Sequence, residues 1–306
     1  MEDPSEQTAV SATSPQHVAV MVAEVAGLVR ACNPMIVVDA TIGTGGHAEA
    51  LLEATGCQLI GLDRDAQALR VAAARLDRFG ARVALFHRDF ADLTEILEAN
   101  GTPCVNAILA DLGMSSLALD DAQRGFSFAR EGPLDMRMDQ RQTLRAGDLV
   151  NEESEAGLIR IIQDYGEDRE ARRIARAIVD ARRQHPIATT AELRAIIRRA
   201  VHRRSGGIDP ATRTFQALRI AVNHELESLG RMLHDAPARL AKGGRMVVIA
   251  YHSLEDRPVK QRFRELAAQG GFVLPRGKAL RPSMAEIAHN RRARSARLRW
   301  IEKTAG

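Results

Sequence analysis

The sequence predicts an α/β fold built on a doubly wound, mostly parallel sheet with an all-helical domain inserted into it. Three observations support this class. Short β-branched segments alternate with helical patterns as far as residue 111, and a glycine-rich turn follows the first of these segments. Residues 112–244 then separate the fourth strand from the fifth, whereas a crossover connection takes only about 30 residues. The excess predicts the insertion.

The strands of the predicted sheet are short, β-branched and bounded by turn residues. They comprise residues 35–39, 58–63, 82–87, 105–111 and 245–251. Helical patterns at 48–54, 65–79 and 89–99 alternate with the first four, which is the βαβ rhythm of a parallel sheet. A closing strand is predicted at 295–303, because apolar side chains at 296, 298 and 300 alternate with Arg297, Arg299 and Ile301.

The insert, residues 115–214, is predicted to be helical and to recognise the substrate. Thr189 and Glu192 have the spacing of a capping box, Asn151 is predicted to be another N-cap, and Pro186 ends the helix between them. An insert that follows a strand's carboxyl end overhangs the edge where doubly wound sheets bind ligands. We expect the main domain to comprise residues 17–114 and 215–306, after a flexible N-terminus at residues 1–16.

One long amphipathic helix is predicted to follow the insert and to pack back on the sheet. Its apolar positions recur at helical spacing: Phe215, Leu218, Val222, Leu226, Leu229 and Leu233. On the opposite face lie Gln216, Arg219 and Asn223, which either look into the ligand cleft or form a solvated face.

Composition restricts the class of protein. The chain is 45% hydrophobic, enough for a full core, yet no apolar run approaches the roughly 20 residues of a membrane-spanning helix. Residues 1–16 are polar and acidic, unlike a secretion signal, so we expect a cytoplasmic protein. Cys32, Cys57 and Cys104 are far apart, which favours neither a metal site nor a disulfide.

Basic charge is concentrated in the insert. Residues 169–204 contain eleven arginines and three acidic residues, an excess larger than the net charge of +4 of the whole chain. Arginine clusters of this kind bind nucleic-acid phosphates, and Arg172, Arg173 and Arg176 are the candidates on the predicted helix. The alternative is a solvated helical face.

The glycine-rich turn DATIGTGGH, residues 39–47, indicates a nucleoside cofactor. Gly43, Gly45 and Gly46 follow a strand and open a helix, so the backbone can approach a ligand. The spacing also fits a dinucleotide fingerprint, and Asp63 could bind the ribose of either cofactor. Asp39 favours S-adenosylmethionine over NAD, because a carboxylate attracts an ammonium and a sulfonium and repels a pyrophosphate.

Several motifs together strongly resemble the bacterial 16S ribosomal RNA cytosine-N4-methyltransferase family, RsmH or MraW. They are DATIGTGGH at 39–47, DLGMSS at 111–116, GFSFAREGPLDMRMD at 125–139, ATRTFQALRI at 211–220 and YHSLED at 251–256. The resemblance runs from about residue 17 to the last strand. Two positions depart from the family pattern: Ala118 replaces a polar residue, often glutamine, and residues 290–296 read NRRARSA instead of NPRARSS.

The resemblance implies a Rossmann-like class I methyltransferase that uses S-adenosylmethionine to methylate N4 of one cytidine, cytidine 1402 in the family. This cytidine lies in the decoding region of 16S ribosomal RNA, within the small subunit, and the family suggests a homodimer. The predicted cofactor-binding residues, from the turn and from the resemblance, are Asp39, Gly43, Gly45, Gly46, His47, Asp63, Phe90 and Asp111. Phe90 either flanks the adenine or belongs to the core.

Cytosine N4 is a poor nucleophile, so catalysis depends on positioning and on hydrogen-bond acceptors for the amino group. Asp111 is the predicted acceptor, with Ser115, Ser116 and His252 as polar neighbours; His252 either takes up the product proton or caps its strand. Phe126 and Phe128 are predicted to stack on a base or to pack in the core, and Arg130 and Arg137 to hold phosphates. Two other functions stay open on sequence alone, an NAD-dependent dehydrogenase and a non-catalytic RNA-binding ribosome-assembly factor.

Overall fold

A computed structural model describes residues 19–201 and 209–304, apart from the side chain of Ser116. The predicted flexible N-terminus, and Arg203 and Arg204 of the arginine cluster, lie outside these residues. A seven-stranded sheet has the order β3-β2-β1-β4-β5-β7-β6. Its strands are β1 Ile36–Asp39, β2 Gln58–Asp63, β3 Val83–His87, β4 Val105–Asp111, β5 Leu240–Ala250, β6 Phe272–Val273 and β7 Arg297–Lys303.

The sheet confirms the predicted strands and their parallel pairing. β1 pairs in parallel with β2 and β4, β2 with β3, and β4 with β5, whereas β7 runs antiparallel to β5 and β6. Both faces are covered, since Val37 and Leu298 belong to one core and Val38 and Ile301 to the other. The predicted closing strand therefore exists, but Ile301 on its supposedly polar side is fully buried.

Helices cover the sheet on both sides and form the insert. Their bounds are α1 Val22–Arg30, α2 Gly46–Ala54, α3 Ala66–Leu76, α4 Leu93–Ala99, α5 Ser116–Asp120, α6 Ala146–Glu152, α7 Glu155–Gly166, α8 Ala171–Arg182, α9 Thr190–Ala200, α10 Ala211–Asn223, α11 Glu225–Asp235, α12 Ser253–Gln269 and α13 Met284–His289. None of the described helices is both long and apolar enough to cross a membrane.

The insert has a hydrophobic core of its own, formed mainly by α6 to α9. The predicted capping box is confirmed: the Thr189 hydroxyl accepts a hydrogen bond from the Glu192 amide, and the Glu192 carboxylate accepts one from the Thr189 amide. The predicted N-cap at Asn151 is wrong. Asn151 lies inside α6, and its side chain bonds to both backbone groups of Ile187, 36 residues away.

The predicted single helix after the insert is also wrong, because the chain breaks into α10 and α11 at His224. His224 has a φ of 50°, in the left-handed region. Phe215 and Leu218 of α10 pack in the core of the insert, whereas Leu229 of α11 packs on the sheet. The apolar spacing continues across the break, so it could not reveal that the two halves serve different cores.

Candidate active site

A cavity of 490 Å³ lies at the carboxyl ends of β1, β2, β4 and β5. Main-domain residues form one wall and residues of the insert and α10 form the other. Sequence-predicted residues on its surface are Gly43, Gly46, His47, Asp63, Phe90, Asp111, Ser115, Phe126, Phe128 and His252. The fold therefore brings together both halves of the expected site, the glycine turn at residues 39–47 and the loop at residues 125–139 of the insert, called the aromatic loop from here on.

The glycine turn adopts backbone angles that need glycine. Gly43 has a φ of 52° and Gly45 a φ of 84°, where a side chain would be strained. Gly45 precedes α2 and packs against Ala72 of α3 rather than on the cavity surface. The Gly43 amide donates to the Asp63 carboxylate over 2.8 Å, which joins the turn to β2.

Asp63 ends β2 and lines the cavity. Its two carboxylate oxygens accept hydrogen bonds from the amides of Gly43 and Asp65, both over 2.8 Å. Burial nevertheless raises the pKa of Asp63 to about 6. Because each carboxylate oxygen has two lone pairs, both can still accept from the hydroxyls of a ribose.

Asp39 lies behind the cavity wall, with 1% of its surface exposed, and not on the surface where a direct cofactor contact was expected. Burial raises its pKa to about 7, against the opposing charge of His47. One carboxylate oxygen accepts from the Thr41 amide over 3.2 Å, and the other has no hydrogen-bond partner among the described residues. The Asp39 side chain therefore does not reach the cavity surface.

Asp111 ends β4 and is held from several sides. The Tyr251 hydroxyl donates to Oδ1 over 2.7 Å, and His47 Nε2 lies 3.4 Å from Oδ2. The Asp111 amide donates to the Thr41 hydroxyl over 2.6 Å. Burial disfavours the charged form of His47, but the nearby Asp111 carboxylate, with the charge of Asp39, raises its pKa above the ordinary value. The tyrosine was not identified from sequence.

A second polar cluster lines the cavity beyond β5. His252 Nε2 lies 3.0 Å from the Glu255 carboxylate and 3.4 Å from Nη2 of Arg219. Arg219 in turn makes a two-point ion pair with Glu225, over 2.7 and 2.8 Å. Burial raises the pKa of Glu255, but His252 and Arg219 outweigh this and hold it below the ordinary value. From the sequence, Arg219 was identified only as one residue on the polar face of a predicted helix, and its ion pair was not predicted.

The aromatic loop meets the cavity with two phenylalanines. Phe126 is 6% exposed, and Phe128 packs edge-to-face on Phe215 with 5.0 Å between ring centroids. Both line the cavity while belonging to or packing against the core of the insert, so the two alternatives offered by the sequence are not exclusive. Ser115 also lines the cavity and caps α5 by accepting from the Ala118 amide.

Arg137 was predicted to hold a phosphate, but it is 9% exposed and its guanidinium is engaged within its own loop. Its guanidinium pairs with Asp135 over 2.7 Å and donates to the carbonyls of Gln140 and Gln142, which fixes the shape of the loop. Arg130 is exposed and donates to the Asp120 carbonyl over 2.9 Å.

The arginines of α8 form a separate surface. Arg172, Arg173 and Arg176 are exposed and line a groove with Glu155 and Ile159 of α7. Arg173 approaches Glu170 at 3.3 Å, an exposed contact of the kind that contributes little to stability.

Sequence reasoning missed the contribution of the C-terminal segment. Asn290, Arg292 and Ser295 line the cavity, so the segment that departs from the family pattern borders the site. Ala118, the other departure, is 2% exposed and also lines the cavity.

The strand order, with β7 antiparallel between β5 and β6, and a cavity that joins a glycine turn to an acid ending β2 define a class I S-adenosylmethionine-dependent methyltransferase. The chain belongs to the MraW methylase family, whose sequence model matches residues 14–304. This membership excludes the dehydrogenase alternative.

Two relatives of similar length, compared by sequence, support the assignment. The chain is 46% identical to the ribosomal RNA small subunit methyltransferase H of Sorangium cellulosum over 95% of its length and 92% of the relative's. It is 48% identical to the protein of the same name from Geotalea uraniireducens, over 94% and 98%. An rRNA methylase structure from Streptococcus thermophilus aligns with a TM-score of 0.43 and 14% identity, over 92% of this chain and 95% of that one.

The residues of the cavity fit S-adenosylmethionine. Asp39, Asp63 and Asp111 influence one another's charge on one side of the site, an arrangement that favours a cationic ligand. The ring nitrogens of His47 are buried without a hydrogen-bond partner among the described residues, although Nε2 lies near the Asp111 carboxylate.

Proposed function

We propose that this protein transfers a methyl group from S-adenosylmethionine to N4 of a cytidine in the decoding region of 16S ribosomal RNA, within the small subunit. The observation that carries the proposal is the position of Asp111. This acceptor ends β4 in a cavity with an acidic wall on one side and the rings of Phe126, Phe128 and Phe215 on the other. A cationic cofactor suits the first wall and a splayed base suits the second.

Residues of the main domain hold the cofactor in this proposal. Asp63 accepts hydrogen bonds from the ribose hydroxyls, Phe90 flanks the adenine, and the turn at Gly43, Gly46 and His47 surrounds the remainder. The Arg64 guanidinium lies 5.4 Å from the ring centroid of Phe90 and stabilises its position. When bound, the cofactor supplies an electrophilic methyl group on a sulfonium.

Asp111 orients the target amino group. A carboxylate that accepts a hydrogen bond from N4 increases the electron density on that nitrogen and fixes its direction. The Tyr251 hydroxyl and His47 prevent the carboxylate from rotating away. Most of the rate enhancement therefore comes from a preorganised acceptor.

His252 takes up the proton that N4 loses after methylation. Its Nε2 lies 3.0 Å from the Glu255 carboxylate, whose negative charge stabilises the imidazolium that forms when His252 binds this proton.

Methyl transfer to small subunits that lack the modification tests the proposal. Purified protein and radiolabelled S-adenosylmethionine should label 16S RNA, and mass spectrometry of the digested RNA should locate N4-methylcytidine. Absence of incorporation contradicts the proposed activity and favours the non-catalytic assembly factor. Labelling of another atom contradicts the proposed substrate. Parallel reactions with naked 16S RNA identify the form that the enzyme uses.

Two variants test the role of Asp111. Asp111→Asn should lose most methyl transfer at saturating cofactor, because an amide is a weaker acceptor than a carboxylate. Asp77→Asn, an exposed acid on the main domain, is the matched control and should transfer normally. Normal transfer by Asp111→Asn would exclude the proposed role.

We further infer that the enzyme acts in the cytoplasm, where its proposed ribosomal substrate lies, and that it forms a homodimer, as the family resemblance suggests. Sedimentation velocity of the purified protein tests the second point, and a single monomer boundary at micromolar concentration contradicts it.

A further inference from the structure

We propose that Arg219 recognises the Watson–Crick edge of the target cytosine by donating hydrogen bonds to its N3 and O2 atoms. The inference rests on the proposed function, because it assigns the base-reading residue of the same site. It starts from the ion pair between Arg219 and Glu225, two cavity residues that the proposed mechanism does not use.

The guanidinium of Arg219 is fixed in one orientation. Nε and Nη2 donate to the two carboxylate oxygens of Glu225, and only 14% of the Arg219 side chain is exposed. Nη2 also lies 3.4 Å from His252 Nε2. Nη1 makes no hydrogen bond to any residue in the described part of the chain, and Nη2 keeps one hydrogen that Glu225 does not use. These neighbouring nitrogens therefore offer a pair of roughly parallel donors in the cavity that Arg219 lines.

The break between α10 and α11 creates this arrangement. His224 adopts a left-handed conformation that costs a non-glycine residue on the order of 1 kcal/mol. Glu225 follows Arg219 by six residues, and in an uninterrupted helix this spacing would place the two side chains on different faces. The turn at His224 instead brings Glu225 beside Arg219. The acid then holds the guanidinium from behind.

Arg219 lines the same cavity as Asp111, the proposed acceptor for N4. Its neighbour His252 directly follows Tyr251, whose hydroxyl donates to Asp111 over 2.7 Å. An acceptor and a pair of free donors therefore line the same cavity, joined through two consecutive residues. Cytosine presents the complementary set, an amino donor at N4 beside acceptors at N3 and O2.

The chemistry of arginine suits this edge. A planar guanidinium donates to two adjacent acceptors at once, and such paired contacts distinguish one base from another. Uracil carries a hydrogen on N3, which would oppose a donor from Arg219, and an oxygen at position 4, which would oppose the Asp111 carboxylate. Arg219 thus selects cytosine before any methyl transfer takes place.

A competition experiment tests the inference. Unmodified small subunits with the natural cytidine are the substrate, and subunits with uridine at that position are the competitor. The preference is the ratio of the inhibition constant of the uridine subunits to the KM of the cytidine subunits. For wild-type protein this ratio should be at least about ten. Arg219→Gln and Arg219→Lys should bring this preference close to one and lower kcat/KM, while the Kd for S-adenosylmethionine by calorimetry stays the same.

Control variants separate recognition from folding and charge. Arg213→Gln removes an exposed arginine from the same helix and should leave the preference unchanged. Arg219→Gln leaves Glu225 buried without its partner and could unfold the protein for that reason alone. Two further variants then provide the result. Arg219→Gln/Glu225→Gln removes both charges, and Arg219→Lys keeps the positive charge beside Glu225. Thermal unfolding reports on each.

Two outcomes would overturn the inference. If the Arg219 variants bind cytidine and uridine subunits more weakly by the same factor, Arg219 holds a phosphate. If their Kd for S-adenosylmethionine increases, Arg219 holds the cofactor. Failure of the proposed function can be distinguished from failure of this inference. Binding competition between the two kinds of subunit measures the preference for cytidine even when wild-type protein transfers no methyl group.

Discussion

At the scale of single residues, the site depends on carboxylates whose environments differ. Asp63 accepts two backbone hydrogen bonds, Asp111 accepts from a tyrosine, and Asp39 is buried beside His47. Hydrogen bonds to an ionised group contribute about 1.5–3 kcal/mol, roughly twice the value for neutral partners. The partners of each acid therefore decide its role.

Tyr251→Phe should slow methyl transfer about tenfold at saturating cofactor. The change removes the hydroxyl that holds Asp111 and leaves the ring in place, and about 1.4 kcal/mol corresponds to a factor of ten. Single-turnover kinetics measure the rate, with calorimetry to show that cofactor affinity is maintained. An unchanged rate would mean that the hydroxyl only fills space.

Asp39 should make the cofactor-free protein less stable as the pH rises. Its pKa increases from 3.8 to about 7 because burial disfavours the charge, so the folded state binds its proton more tightly than the unfolded state. The associated stability is complete below pH 4 and is lost as the pH rises through about 7. Asp39→Asn should therefore show a smaller decrease of Tm between pH 5 and pH 8.

Thermal unfolding of both proteins across this range measures the effect. Asp77→Asn, an exposed acid, should retain the wild-type slope. Parallel curves for wild type and Asp39→Asn would show that Asp39 does not titrate in this interval.

At the scale of elements, α8 presents its two faces to different environments. Ile174, Ala175 and Ile178 are buried in the core of the insert, whereas Arg172 and Arg176 are exposed on the opposite side. Because this side also forms a groove with α7, it is suited to an extended phosphate backbone rather than to a single ion. The RNA contact there remains a prediction.

Replacement of Arg172, Arg173 and Arg176 by glutamine should weaken RNA binding without changing cofactor binding. Each phosphate contact that is lost lowers the slope of log K against log salt by about 0.7 to 0.9, so three contacts lower it by about 2 to 3. Filter binding over a series of salt concentrations measures the slope.

The matched control replaces three exposed arginines of the main domain, Arg30, Arg70 and Arg264, by glutamine. It removes the same charge at a distance from the groove and should leave the salt slope near the wild-type value. Equal slopes for both triple variants would contradict a specific contact on α8.

At the scale of the whole molecule, a buried ion pair joins the insert to the cofactor-binding half. Arg124 donates to Asp65 over 2.9 Å, and each side chain is 8% exposed. Arg124 also donates to the carbonyls of Arg137 and Met138, so one guanidinium connects the aromatic loop to the start of α3. Asp65 in turn donates its amide to Asp63, the proposed ribose acceptor.

Arg124→Gln should lower the free energy of unfolding by about 3 kcal/mol, because it leaves Asp65 buried without its cationic partner. Arg124→Gln/Asp65→Asn should be less destabilised than the sum of the single changes. Asparagine keeps the cap of α3, where Asp65 accepts from the Gln67 amide, so the cycle isolates the ion pair. Urea unfolding measures each value; additive effects would show that the two side chains act independently.

Local patterns in the sequence were sufficient for the sheet, the capping box at Thr189 and the carboxyl-edge position of the site. Strand composition, turn residues and capping spacing reflect interactions over a few residues, which the sequence states directly. The positions of Gly43, Asp63, Asp111 and His252 followed, because the carboxyl ends of parallel strands meet at one edge.

Only the tertiary structure decided which polar groups pair. Tyr251 with Asp111, Asn151 with Ile187 and Arg124 with Asp65 join residues 36 to 140 positions apart, and spacing along the chain carries no information on such contacts. The break at His224 was missed for the same reason. The apolar spacing is continuous across it, but the residues before and after the break pack in two different cores. The sequence therefore determined the fold and the edge of the sheet at which the site lies. Long-range packing determined that Arg137 is buried with Asp135 and that Arg219 faces the cavity.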